Sequence, residues 1–234
     1  MAQPDAESAP ESLRRHLERL RELRGNEARE GVPARLAEIK AFQARRLAVT
    51  YRDLALDPRY APATAFFLGD LYGSKDFSAR DEALLKIYPY LVRTLPASAV
   101  ETAALAIEVD ALSEELDRLM AEALEPGALD EASYGRAWRR LGRREARERQ
   151  VELVDAVGRR LDRLVKRPII RATLKLMRKP AQLAGLEELQ RFLERGFEAF
   201  AHMGGAEHFL ATIARREGEV LNRLFSGHPS PFSG

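Results

Sequence analysis

The sequence has 234 residues and contains no cysteine. Disulfide bonds, thiolate metal sites and cysteine nucleophiles are therefore excluded. It also lacks any run of about 18 apolar residues, and its N-terminus has neither the basic start nor the apolar core of a signal peptide. These absences predict a protein with no transmembrane segment, located in the cytoplasm.

Glycine-rich motifs that hold phosphates are also missing. The sequence contains no G-x-x-x-x-G-K-[ST], no G-x-G-x-x-G and no G-x-S-x-G segment. β-branched residues are few, and no stretch alternates polar and apolar residues with the period of a strand. Nucleotide hydrolysis and α/β-hydrolase chemistry are disfavoured, and no cofactor is predicted.

The abundant residues are Ala, Leu, Glu and Arg, which are strong helix formers. They predict an all-α protein, a compact multi-helix bundle of eight or nine helices with no sheet. Gly25 is expected to end the first helix, and Pro33 to open a second that runs to Leu56. Ser8 and Glu11 have the spacing of a capping box.

Breaks in the helical pattern suggest two halves. Pro126-Gly127 separates an N-terminal helical half from a basic C-terminal half, and the two halves are expected to pack as one domain. The predicted divisions are a flexible N-terminus, two helical halves and a disordered tail, at residues 1–8, 9–125, 128–226 and 227–234.

Charge is distributed unevenly although the net charge is only +2. Residues 97–135 carry ten acids and one base, whereas residues 136–180 carry 16 bases and five acids. The two stretches either face each other or are both solvated, or they form a surface for a charged partner.

The basic run 159–180 is the clearest candidate for a partner-binding surface, because its bases alternate with apolar residues. A basic amphipathic helix can dock on a protein partner or a second copy, on anionic lipid or on nucleic-acid phosphates. The run lacks aromatic residues for base stacking, which disfavours binding of single-stranded nucleic acid. A protein partner or self-association is the preferred interpretation, with an anionic membrane surface or nucleic acid as less favoured alternatives. The alternative is a core helix whose long basic side chains cover apolar surface. The nine bases of the run are Arg159, Arg160, Arg163, Lys166, Arg167, Arg171, Lys175, Arg178 and Lys179.

A second candidate site lies around an aromatic corner at residues 60–81. The corner is expected to lie between the second helix and the acidic helix 98–124. Glu108 projects from an apolar face of that acidic helix and needs a basic partner, for which Arg46 and Arg80 are candidates. Such a network is either a structural device or the polar part of a ligand pocket. The pocket candidates are Arg46, Thr50, Tyr51, Asp53, Phe66, Phe67, Asp70, Tyr72, Arg80 and Glu108.

Histidines offer a third, weaker possibility. His202 and His208 flank Gly204-Gly205 and could bracket a metal or haem. No Glu-x-x-His motif accompanies them, so two surface histidines beside a helix break are the preferred interpretation.

Three segments resemble a group of uncharacterised, all-helical proteobacterial proteins. They are Q-A-R-R-L-A-V-T-Y-R-D-L (43–54), F-F-L-G-D-L-Y-G-S-K-D-F-S-A-R-D (66–81) and M-G-G-A-E-H-F-L-A-T-I-A-R-R-E (203–217). The resemblance covers most of the chain beyond about residue 32. It implies a self-contained helical fold in a bacterial cytoplasm and brings no activity or catalytic residue.

The sequence alone therefore favours a non-enzymatic interaction or regulatory module that uses the basic surface. A small-ligand-binding protein or enzyme with a pocket at the aromatic corner, and metal or haem binding through the histidines, are the alternatives.

Overall fold

The computed structural model describes residues 7–30, 33–71 and 78–233 of the chain. Within these ranges the protein contains eleven α-helices and one π-helical turn, and no strand. The all-α prediction is confirmed, with slightly more helices than the eight or nine expected. The helices are α1 (Ala9–Glu30), α2 (Pro33–Thr50), α3 (Arg52–Leu56), α4 (Ala61–Phe66), α5 (Ser78–Thr94), α6 (Ala97–Ala123), α7 (Glu131–Leu141), α8 (Arg144–Val165), α9 (Pro168–Leu183), α10 (Glu187–Met203) and α11 (Glu207–Ser226), and the π-helical turn is Phe67–Leu71.

The extra helices come from breaks that the sequence pattern did not reveal. The predicted second helix ends at Thr50, and α3 begins after Tyr51. The basic stretch that follows Pro126-Gly127 contains a break at Gly142, whose φ of 62° places it in the left-handed region that favours glycine and ends α7.

The helix end predicted at Gly25 is corrected, because the first helix continues to Glu30. Helix α9 continues through Pro180 to Leu183. Ser8 and Glu11 are in contact at the start of the first helix, as their spacing predicts, because the Ser8 N–H donates to the Glu11 carboxylate at 3.0 Å. None of the helices in the described ranges combines the length and the apolar character needed to cross a bilayer.

Buried residues form three apolar clusters that share neighbouring helices. One joins α1 and α6, with α5 packed against it, and is centred on Leu17 and Leu20. A second joins α2, α6, α7 and α11 around Ile39 and Met120. The third joins α2, α3 and α4 to α10 and α11, and it contains Phe200.

The described part of the aromatic corner, residues 60–71, belongs to this third cluster. Phe66 lies 5.3 Å from Phe192, and Phe67 lies 6.3 Å from Phe200, measured between ring centroids. This part of the corner therefore packs on α10, which corrects the expectation that it lies against the acidic helix. A Cβ at Gly196 of α10 would come within 2.8 Å of Phe66, so the absent side chain makes this approach possible.

The two charged stretches face each other along α6 and α8. Arg149 of α8 pairs with Glu108 of α6 at 2.9 Å, and Arg160 pairs with Glu101 at 2.5 Å. The segment predicted to be a disordered tail lies against the protein, because the Phe232 ring packs on Phe42 at 5.8 Å.

Helices α8 and α11 approach closely at Gly158. A Cβ there would come within 2.3 Å of the side chain of Leu210, which is only 1% exposed and cannot move away freely. We expect Gly158→Ala to lower the free energy of unfolding by about 1–3 kcal/mol in urea titrations, as overpacked cores do.

The matched control is Gly218→Ala in α11, where nothing lies within 4 Å of the added methyl group. Helix propensity alone should there raise stability by up to about 1 kcal/mol. Equal changes at the two glycines would contradict the close approach of α8 and α11.

Candidate functional site

A cavity of about 340 Å³ lies where the three apolar clusters meet. Its lining draws Leu17 from the first cluster, Val220 from the second and Phe200 from the third. The volume falls at the small end of the range for ligand pockets in proteins.

One wall of the cavity is polar and begins on α2. Lys40, Gln43 and Arg46 all line the cavity. They are spaced three residues apart, so one side of the helix carries all three. Each of them contacts an acidic or phenolic group from another helix.

Glu114 of α6 receives one of these contacts, from Lys40, and a second from α1. Its carboxylate accepts hydrogen bonds from Lys40 at 2.6 Å and from Arg24 of α1 at 3.2 Å. Arg24 also reaches Asp110 at 3.0 Å. Because Glu114 is only 4% exposed, it carries a charge that its basic neighbours must compensate.

Asp117 lies one turn further along α6 and is also buried. Its hydrogen bond comes from an uncharged amide, whereas Glu114 is bonded by two cations. The Gln43 side-chain amide donates to its carboxylate at 2.8 Å and to the Tyr134 hydroxyl at 3.2 Å. Burial raises the pKa of Asp117, although the charge of Arg147 and the Gln43 hydrogen bond oppose the change. Burial likewise raises the pKa of Tyr134.

Arg147 of α8 completes this part of the wall. Its guanidinium lies over the Trp138 ring, 4.1 Å from the centroid. The residue is 5% exposed and lines the cavity. The arrangement combines a desolvated cation–π contact with a cation whose charge acts to lower the pKa of the buried Asp117 carboxyl group.

A third group of contacts centres on Glu217 of α11. One carboxylate oxygen accepts hydrogen bonds from the Tyr51 hydroxyl at 2.6 Å and from Arg46 at 2.5 Å. Burial disfavours the Arg46 charge, but the Glu217 carboxylate outweighs it, so the pKa of Arg46 is raised above its ordinary value.

The remaining walls are apolar. They come from α1, α5, α6, α8, α10, α11 and the aromatic corner. The residues include Leu13, Leu84, Leu91, Val151, Val154, Val157, Leu161, Phe66, Phe67, Leu68, Leu189, Phe192 and Leu193.

Four of the predicted pocket residues line this cavity, namely Arg46, Tyr51, Phe66 and Phe67. Thr50 and Asp53 lie at the break between α2 and α3. Within the described chain, the buried Thr50 hydroxyl has no hydrogen-bond partner. Arg216 binds Asp53 through two hydrogen bonds of 2.7 Å and also donates to the Thr50 carbonyl at 2.7 Å.

The prediction for Glu108 is corrected. It pairs with Arg149 of α8 rather than with Arg46, because α6 turns that side chain toward α8 at the edge of the bundle. The side chains of Asp70 and Arg80 and the whole of Tyr72 lie outside the described residues, so their predicted roles stay untested.

Five cavity residues that carry the polar network were not predicted. Sequence spacing offered one signal, since Lys40 lies three and six residues before Gln43 and Arg46, on the same side of α2. The other residues sit among many similar charges, and nothing local separates them from solvated ones. The five are Lys40, Glu114, Asp117, Arg147 and Glu217.

The nine bases of the predicted partner surface differ in their contacts. Four of them form intramolecular ion pairs at 2.5–2.7 Å, namely Arg159–Asp155, Arg160–Glu101, Lys166–Asp162 and Arg178–Glu194. Arg171 lies 5.7 Å from the centroid of the Phe197 ring. In the described part of the molecule Arg163, Arg167, Lys175 and Lys179 form no ion pair.

The two histidines contact the segment between α3 and α4. The His202 ring is 3.0 Å from the Pro58 carbonyl, and the His208 ring packs 5.7 Å from Tyr60. Across the described ranges, no group of three or more His, Asp or Glu residues has the arrangement of a metal site.

Comparison with known proteins yields one match. Residues 22–231 match the model of a family described as Domain of unknown function (DUF8198). No curated protein and no solved structure matches the chain.

The Asp53–Arg216 pair makes a testable contribution to acid stability. The Arg216 hydrogen bonds lower the pKa of Asp53 to about 2. A carboxyl whose folded pKa is depressed stabilises the protein above its unfolded pKa of about 3.9, and the stabilisation is lost as pH falls toward 2. Because Asp53 is more than half exposed, we expect Asp53→Asn to cost less than about 1 kcal/mol at pH 7. Urea titrations from pH 7 to pH 2 should show this cost vanish at the acid end.

Glu219→Gln is the matched control, since Glu219 pairs with Arg215 within α11 alone. It should change stability by about 0.5 kcal/mol or less at pH 7. If Asp53→Asn left the acid part of the stability profile unchanged, the Arg216 pair would not stabilise the break between α2 and α3.

Proposed function

The chain belongs to the family described as Domain of unknown function (DUF8198), and from its site geometry we propose that it binds an amphipathic small molecule in the cavity. The observation that carries the proposal is the contrast between the cavity walls. One wall presents paired charges and hydrogen-bonding groups, and the others present aromatic and aliphatic side chains. Ligand pockets have this composition, with a largely apolar lining and a few convergent polar groups.

Energetics also favour an apolar ligand group in the cavity. Apolar surface that is removed from water contributes about 25 cal/mol per Å². An apolar group that lies against the aliphatic and aromatic walls would bury such surface on both sides of the contact.

The charge balance of the polar wall limits the chemistry of the ligand. The wall contains equal numbers of acidic and basic residues, and most of their contacts are to one another. A ligand with a strongly charged end would have to break such a pair, which is costly when the pair is buried. We therefore infer an apolar body with an uncharged or zwitterionic polar end. The charged residues are Asp110, Glu114, Asp117, Glu217, Arg24, Lys40, Arg46 and Arg147.

Roles follow from the contacts. The Gln43 amide and the Tyr51 hydroxyl stand where they can exchange a protein hydrogen bond for one to the polar end of a ligand. Val154 and Phe192 would hold the apolar body. Binding rather than catalysis is proposed, because each buried acid is held by basic or amide partners instead of being positioned against a second catalytic group. The resemblance of segments 43–54 and 66–81 supports a bacterial cytoplasmic setting.

Filling the cavity should abolish binding. Ala106 of α6 lines the cavity, and a phenyl group there would occupy the space of a ligand. We expect Ala106→Phe to bind a neutral fluorescent probe, N-phenyl-1-naphthylamine, at least about tenfold more weakly than the wild type, as steric exclusion from an apolar pocket requires. Titration of probe fluorescence measures the change, and native mass spectrometry of protein purified from cells tests for a bound molecule.

Ala48→Phe is the matched control, because Ala48 is exposed on α2 and does not line the cavity. It should bind the probe like the wild type. Val154→Phe offers a second filled cavity from α8 should the first variant fold poorly. Wild-type affinity in both filled variants, each with an intact helical circular dichroism spectrum, would refute the proposal.

A further inference from the structure

Helix α9 has an outer face that the bundle does not cover. Three large apolar residues lie on it, with Ile169 64%, Leu176 77% and Leu183 82% exposed. They are seven residues apart, so they form one stripe along the helix. At 1.5 Å per residue the stripe is about 21 Å long.

The charge of α9 has a single sign. Its 16 residues include four bases and no acid. Lys175 and Lys179 flank the stripe and are exposed, and within the described chain they form no ion pair. Arg163 and Arg167, just before the helix, are likewise exposed and without ion pairs among the described residues.

The opposite face of α9 is firmly attached to α10. Arg178 donates to both carboxylate oxygens of Glu194 at 2.6 and 3.0 Å, and the Gln190 amide donates to the Leu174 carbonyl at 2.7 Å. Ala181 is buried in the same contact. The exposed stripe therefore cannot turn inward without breaking these bonds.

The apolar stripe and the exposed bases of α9 together indicate which kind of partner fits this face. A second copy docked face to face would bring two sets of bases together, and like charges across an interface are costly. Nucleic acid would neutralise the bases but would offer no apolar surface to the three aliphatic side chains. An anionic bilayer satisfies both, since its headgroups attract bases while its acyl boundary accepts apolar side chains.

We propose that the outer face of α9 docks the protein on an anionic lipid surface, with Ile169, Leu176 and Leu183 entering the acyl boundary. Lys175 and Lys179 contact the headgroups. The helix lies in the plane of the interface and does not span the membrane. This role is separate from ligand binding in the cavity and uses none of the cavity residues named above.

Vesicle co-sedimentation tests the proposal with the full chain. Wild-type protein should bind phosphatidylcholine vesicles that contain about one-third phosphatidylserine, bind pure phosphatidylcholine vesicles weakly, and lose binding as salt is raised. At about fivefold per charge, Lys175→Ala with Lys179→Ala should weaken partitioning roughly 30-fold. Leu176→Glu with Leu183→Glu should reduce binding to the level without lipid.

The control variants change exposed residues elsewhere on the surface, and the apolar ones are similar in exposure to Leu176 and Leu183. Val49→Glu with Leu56→Glu replaces two apolar side chains that are 75% and 73% exposed. Arg45→Ala with Arg52→Ala removes two exposed bases of α2 and α3. Both pairs should bind anionic vesicles within about threefold of the wild type, since neither lies on α9.

Four results would overturn the proposal. The first is no wild-type binding at low salt, and the second is equal loss in the control variants. The third is retention on heparin that needs the lysines but not the leucines, which would indicate a polyanion instead of a bilayer. The fourth is a dimer in sedimentation analysis that Leu176→Glu with Leu183→Glu dissociates, which would assign the stripe to a second copy of the chain.

Discussion

The buried carboxylates of α6 require basic and amide partners, and this requirement positions the helices around them. Glu114 takes its partners from α1 and α2, and Asp117 takes one from α2. Removing one partner of a buried ion pair typically costs about 3–5 kcal/mol, because the remaining charge is left desolvated. The register of α1 and α2 on α6 is thus set by charge as well as by apolar packing.

The same requirement explains why the centre of the bundle is not completely filled. Side chains that must reach across to a partner cannot also pack as a close apolar core. The Gln43–Asp117 and Arg46–Glu217 contacts lie side by side along α2 and form part of the polar wall of the cavity. The cavity is a consequence of joining a polar wall to three apolar clusters.

Local features of the fold were predictable and long-range features were not. Composition and helix periodicity were enough for the all-α class, and the spacing of the aromatic corner pointed to Phe66 and Phe67. The break at Tyr51 was not predicted because it depends on a long-range contact. Arg216 binds Asp53 at this break, and the two residues are 163 positions apart in the sequence. Glu114 was not predicted because an acidic residue in an acidic helix has the same sequence pattern whether it is buried or solvated.

The π-helical turn at Phe67–Leu71 directly follows α4, and Phe66, Phe67 and Leu68 all line the cavity. In a regular α-helix three consecutive residues diverge by about 200° around the axis, and the wider turn that begins at Phe67 reduces this spread. A π-turn accommodates one residue more than the α-helical ladder. The aromatic wall therefore depends on chain length at this point as well as on residue type. A relative that lacked one residue between Phe66 and Leu71 would present a different wall even if every aromatic side chain were retained.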